Sequence, residues 1–215
     1  MTLVRHGQTE AADLDGDDFA MKDGHGDPSL TELGARQAVA VADRLESVSI
    51  DAIYVTSLIR THQTAAPLAR RLDMTPQVEA DLREVFLGEW EGGLIRHMLA
   101  LQEHPGAIAF RQTYEWGSVP GAETNAELTA RTSAALEKIR QAHRDQHVVC
   151  FVHGGVIAAL CAFAAEAHMR PFAGADNCSL HRMVLTDERW ILRGYNDIAH
   201  LGELRTPPAT VTTHS

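Results

Sequence analysis

Short apolar runs rich in β-branched residues recur along the chain at 2–4, 50–55 and 147–152. Each leads into a polar or glycine-bearing turn and then a helical pattern, the rhythm of repeated βα units. The spacing predicts a helix over 31–46, with Thr31 as N-cap and Leu33, Val39, Val41 and Leu45 as its apolar face. A second helix is predicted from a Ser57 cap to about residue 72, a third over 125–144 and a fourth over 155–167, where alanines permit close packing on a sheet. Alternating strands and helices predict an α/β fold, a three-layer αβα sandwich with a mostly parallel central sheet.

Three segments interrupt the rhythm. The stretch 12–28 is rich in Asp and Gly and reads as a mobile acidic loop near the first strand. Residues 88–120 read as an inserted subdomain with some helix, and 206–215 as a frayed tail. The expected organisation is thus one domain over 1–205 carrying that insertion.

Composition narrows the classes. Of the 215 residues 45% are hydrophobic and 22% charged, enough for a sizeable core. A net charge of -10 would repel a phosphate backbone, so nucleic acid is not an expected partner. An acidic chain that handles a small phosphate must gather its arginines locally. The three cysteines form no CxxC pair and read as buried thiols of a cytoplasmic protein. No apolar stretch reaches the ~20 residues needed to span a bilayer.

Chemistry concentrates just past the three strands, where open α/β sheets place ligands. The first segment is Arg5-His6-Gly7-Gln8-Thr9, the second holds Ser57, Arg60 and Gln63-Thr64-Ala65, and the third is His153-Gly154-Gly155. Arg5 and Arg60 offer planar forks for phosphoryl oxygens. His153, if protonated, adds a donor, and the glycines open a helix N-terminus to an anion. His6 is the candidate nucleophile, provided its other nitrogen donates to a backbone carbonyl, most naturally that of Gly7. Gln8, Thr9 and Gly154 complete the expected phosphate-binding set. A leaving oxygen also needs an acid. Glu84, beside apolar Phe86, is the candidate, with Glu89 and Glu91 as competitors that residue chemistry alone leaves open. The twelve histidines, His25 among them, show no HExxH or HxH spacing, so no metal is expected, although a site assembled only in three dimensions stays open.

Taken together, the ordered motifs resemble the histidine phosphatase superfamily, in particular its phosphoglycerate mutase-like phosphatases. The likeness is carried by Leu3-Val4-Arg5-His6-Gly7-Gln8-Thr9-Glu10, Asp27-Pro28-Ser29-Leu30-Thr31, Leu82-Arg83-Glu84, Gly88-Glu89-Trp90-Glu91-Gly92, His153-Gly154-Gly155 and Asn196-Asp197. The resemblance implies a phosphomonoester hydrolase acting on a small phosphorylated metabolite through phosphorylated His6. It also implies Arg5, Arg60 and His153 on the phosphoryl group, Glu84 as proton donor, and no cofactor. Two departures stand out. An Asn that many members place six residues after the nucleophile is Ala12 here, and the usual Gly-Gly-Glu-Ser turn is Gly121-Ala122-Glu123-Thr124.

Two rival readings frame the expectation. A cofactor-dependent phosphoglycerate mutase would be expected to carry a lysine in an insertion like 88–120, but the only lysines are Lys22 and Lys138. A catalytically weak phosphate-binding regulatory module would have no chemical need of Glu84. The expected partners are a small phosphomonoester and, at most, a second copy of the chain.

Overall fold

The computed structural model describes residues 1–12, 20–101 and 103–206. Much of the acidic stretch and nearly all of the predicted tail lie outside the described residues. In chain order the elements are β1 (Thr2–Arg5), β2 (Met21–Lys22), β3 (His25–Gly26), α1 (Glu32–Leu45), β4 (Ala52–Val55), α2 (Ile59–Arg71) and β5 (Gln77–Val78). They continue with α3 (Ile95–Ala100), α4 (Pro105–Thr113), α5 (Asn125–Ala142), β6 (Val148–Val152), α6 (Gly154–Ala165), β7 (Leu180–Leu185) and β8 (Trp190–Asp197).

The main sheet has the order β5-β4-β6-β1-β7-β8. Its strands β5, β4, β6 and β1 run parallel, while β7 pairs antiparallel with both β1 and β8. Successive strand residues point to opposite faces, which sorts the core into two clusters. Val4, Ile53, Val149 and Phe151 pack with the inner faces of α1 and α2. Leu3, Tyr54, Cys150 and Val152 pack with α5 and α6. With both faces covered, the central strands read as continuous apolar runs, as parallel strands do. The chain is therefore a three-layer α/β protein with a mostly parallel sheet.

Local chemistry fixes the helix ends. Thr31 caps α1 by accepting from the Gly34 amide at 3.0 Å, and Thr124 with Glu127 forms a reciprocal capping box on α5. Two sequence expectations are corrected. Ser57 does not cap α2: the Leu58 amide goes to Thr56 Oγ1 at 3.3 Å and the Ile59 amide to Asp27 Oδ1 at 2.7 Å, so an acid from outside the helix takes the capping role. Val39 is 43% exposed, because it points away from the face shared by Ala38, Val41, Ala42 and Leu45.

Within the acidic stretch, β2 and β3 form a short hairpin. In 88–120, α3 and α4 are flanked by short 3-10 turns, one before α3 and one after α4, around a small cluster of Trp90, Ala107 and Val119. Phe110 and Trp116 join the main core, which stitches the segment to the sheet layer. Among the described residues no helix is long and apolar enough to cross a membrane.

Candidate active site

His6 follows the last residue of β1 and is 7% exposed. Its Nδ1 lies 2.8 Å from the Gly7 carbonyl, which only accepts, so Nδ1 carries the proton and Nε2 keeps the lone pair. The backbone behind the ring is tightly held. The Gly7 amide donates to Thr64 Oγ1 at 3.0 Å, and Asn177 Nδ2 donates to the His6 carbonyl at 3.0 Å. A Cβ on Gly7 would fall 2.6 Å from the Gly34 carbonyl oxygen, and one on Gly34 only 2.1 Å from that of Gln8. The start of α1 thus rests directly on the chain leaving β1, which explains the glycine at both positions.

Arg60, in the first turn of α2, is 6% exposed. It donates to the Gly26 carbonyl at 2.8 Å and lies 3.7 Å from Asp27. Burial lowers its pKa, while Glu84 and then Asp27 oppose that shift. Arg5 donates to the Ala175 carbonyl and packs over Gly154.

His153 is fully buried, with its ring centroid 5.3 Å from that of His6. Its Nε2 is 2.9 Å from Thr56 Oγ1, and no group among the described residues pairs with Nδ1. Burial, then Arg60, His6 and Arg5, holds its pKa well below the ordinary imidazole value. Burial thus disfavours the protonated form of the ring that the sequence reading considered.

Glu84 accepts from the amides of Val85 and Gly155, each at 3.0 Å. A Cβ on Gly155 would lie 2.6 Å from Glu84 Oε1, so the second glycine of the third motif makes room for this carboxylate. The helix N-terminus expected to await an anion has thus given its Gly155 amide to a side chain of the protein. Glu123 holds the same loop from behind, pairing with Arg131 at 2.7 Å while Arg131 donates to the Asp81 and Arg83 carbonyls at 2.7 and 3.0 Å.

These groups converge on a cavity of ≈ 220 Å³ lined by Arg5, His6, Thr9, Arg60 and Glu84. His153 lies behind His6. Of the other expected ligands, Gly154 packs under Arg5 and Gln8 turns to Thr31, its Oε1 accepting from the Thr31 hydroxyl at 2.8 Å; neither lines the cavity. Two of the three glutamates, Glu84 and Glu91, line the cavity. Glu89 is exposed outside the cavity, and Glu91 spends its carboxylate on the amides of Leu87 and Gly26, each at 2.9 Å. Ala12 and His25 also line the cavity. His25 had no signal in the sequence, while Asp27 belonged to the motif Asp27-Pro28-Ser29-Leu30-Thr31 and Thr56 opens the segment that holds Arg60, neither with a role assigned. Among the described residues no three His, Cys, Asp or Glu side chains are placed to hold a metal ion.

A parallel sheet that gathers two imidazoles, two guanidinium groups and a carboxyl around one small cavity defines a phosphoryl-handling α/β protein. The chain belongs to the histidine phosphatase superfamily (branch 1), whose family model matches residues 1–198. It is 31% identical to a metal-independent phosphoserine phosphatase of Arabidopsis thaliana, over 95% of this chain and 84% of that protein. It is 30% identical to a probable phosphoglycerate mutase of Yersinia pestis, over 93% of each chain. Among solved structures it resembles the native mycobacterial glucosyl-3-phosphoglycerate phosphatase, with TM-score 0.74 and 28% identity over 91% of this chain and 97% of that one.

Proposed function

We propose that the chain is a metal-independent phosphomonoester hydrolase in which His6 is transiently phosphorylated. The observation that carries the reading is the Nδ1–H bond of His6 to the Gly7 carbonyl, 2.8 Å long, which leaves Nε2 as the nucleophilic nitrogen beside two arginines and a carboxyl. Arg5 and Arg60 bind the phosphoryl oxygens and meet the charge that spreads over them in the transition state. Nε2 attacks phosphorus as the ester P–O bond breaks, and protonated Glu84 delivers its proton to the leaving oxygen. Water then attacks the phosphohistidine, the Glu84 carboxylate takes its proton, and His6 and inorganic phosphate are released.

His153 serves this scheme as a neutral donor. The Thr61 hydroxyl is committed to the Leu58 carbonyl at 2.8 Å, which leaves the Thr56 proton to His153 Nε2 at 2.9 Å or to Thr61 Oγ1 at 3.1 Å. With the Thr56 proton placed on His153 Nε2, Nδ1 is the protonated nitrogen and donates toward a phosphoryl oxygen without a buried positive charge. The buried thiols of Cys150, Cys161 and Cys178, whose pKa values burial raises, fit a cytoplasmic setting.

The test is phosphate release from p-nitrophenyl phosphate and alkyl phosphates in the presence of a chelator, for wild type and His6→Ala. Wild type should turn over, with a phosphorylated His6 peptide trapped by rapid alkaline quench. His6→Ala should lose at least about 10³-fold in kcat; undiminished release would refute the mechanism. Interconversion of phosphoglycerates that depends on 2,3-bisphosphoglycerate, without net release, would move the assignment to a mutase.

A further inference from the structure

One buried titratable group in the cavity has no part in that scheme. His25, on the β2–β3 hairpin, lines the cavity and is only 5% exposed. Its Nδ1 lies 3.3 Å from the Asp23 carbonyl, which accepts only, so the neutral ring carries its proton there and presents Nε2 as an acceptor. Nε2 is enclosed and meets no hydrogen-bonding group among the described residues. A buried polar atom in that condition is costly, and such groups are ordinarily paired.

The ring is also firmly placed. The adjoining Gly26 gives its amide to Glu91 at 2.9 Å and its carbonyl to Arg60 at 2.8 Å, and the ring packs edge-on against Phe86 at 5.3 Å. His25 and Glu84, the acid assigned to the leaving oxygen, line the same cavity, which puts His25 in the space open to the alcohol half of the ester. Charge decides which chemistry that space favours. Among the described residues lining the cavity, Arg5 and Arg60 are the only guanidinium or ammonium groups, and the phosphoryl group uses both. The other charged side chains there are Glu10, Glu84 and Glu91. A second anionic group on the substrate finds no cation on this side, whereas a hydrogen-bond donor finds an acceptor.

We propose that His25 Nε2 accepts a hydrogen bond from a hydroxyl or ammonium group on the alcohol half of the substrate. The enzyme then selects phosphomonoesters whose alcohol carries such a donor close to the ester carbon. This selectivity rests on the phosphatase reading above.

The experiment compares kcat/KM for 2-hydroxyethyl, 2-aminoethyl and n-propyl phosphate, which differ only in whether OH, NH₃⁺ or CH₃ ends the chain. The three are run on wild type, His25→Phe and His25→Gln, each checked for folding by its thermal midpoint. Ratios between esters are compared across variants, which cancels their intrinsic reactivities. The preference for a donor-bearing ester over the propyl ester should fall about tenfold in His25→Phe. His25→Gln, which keeps an acceptor, should retain part of it and supplies the answer should His25→Phe fail to fold. Whichever of the hydroxyl and ammonium esters loses more identifies the donor. Ratios that stay constant across the variants, or three esters that fall in parallel, would overturn the proposal while leaving the phosphatase reading intact. Wild type inert toward p-nitrophenyl phosphate as well as all three esters would overturn both.

Discussion

Replacing Gly155 by Ala separates the position of the acid from the stability of the fold. The new Cβ would lie 2.6 Å from Glu84 Oε1 and 3.3 Å from Val85 Cγ1. The first contact is with the far end of a flexible side chain, so the carboxyl swings away and the backbone stays. What is lost is the hydrogen bond from the Gly155 amide at 3.0 Å, about 1.5–3 kcal/mol for a charged acceptor. Against this, Ala in a helix is favoured over Gly by at most about 1 kcal/mol. The net cost is about 0.5–2 kcal/mol, a fall of about 1–8 °C in thermal midpoint for a chain of this size. Catalysis should suffer far more, because a displaced acid forfeits about 10²–10⁴ in rate wherever the leaving oxygen needs a proton. The assay is kcat for an alkyl phosphate against 2,4-dinitrophenyl phosphate, whose leaving group departs without protonation. Gly155→Ala should lose at least about 10² on the alkyl ester and less than about tenfold on the aryl ester. Equal losses on both, or unimpaired alkyl turnover, would refute the placement of Glu84 as the acid.

Gly34→Ala is the contrasting case: its Cβ would meet backbone, the Gln8 carbonyl, at 2.1 Å, with no side chain to move aside. We expect a loss of about 3 kcal/mol or more, read as a sharply lower midpoint by circular dichroism; a midpoint within about 2 °C of wild type would contradict the packing described. Stability should also depend on pH through buried imidazoles. His181 accepts from the Asn196 amide at Nδ1 and lies 2.9 Å from Ser179 Oγ at Nε2, and burial, with Arg5, pushes its pKa down to about 3. Since the unfolded ring takes up a proton near pH 6.5, this contribution is complete above that value and is lost as pH falls toward 3. The loss is about 2 kcal/mol by pH 5, and His153 acts in the same direction. Urea unfolding at pH 7.5 and 5.0 checks this, and equal stability at the two values would refute it.

Elements were legible in the sequence where one local cause dominated. The apolar runs of β1, β4 and β6, buried on both faces, announced a parallel sheet, and Thr31 announced α1 by its own hydroxyl. β7 was not expected from the sequence and β8 showed only its Asn196-Asp197 end, since partly exposed strands such as β8 lack a continuous apolar run. Arg5, His6, Arg60 and His153 stood out in the sequence because each follows the end of a strand, and the fold brings them close to one another. Glu84 could be chosen from its neighbours only by resemblance, since Glu91 lines the same cavity. His25 gave no signal, since its ring partner Phe86 is distant in sequence. Asp27 belonged to a recognised motif, but its cap on α2 is a contact that no local pattern encodes.

The place of β1 in the sheet carries a consequence for how the molecule comes into being. It is made long before its neighbours in the sheet, β6, beginning at Val148, and β7, beginning at Leu180. Until the ribosome has passed both, the strand that delivers His6 has no lateral partner, and its apolar Leu3 and Val4 stay uncovered. Long-range pairing of this kind is slow to form and open to misassociation while it waits. The candidate site is thus assembled only once segments remote from one another in the chain have come together.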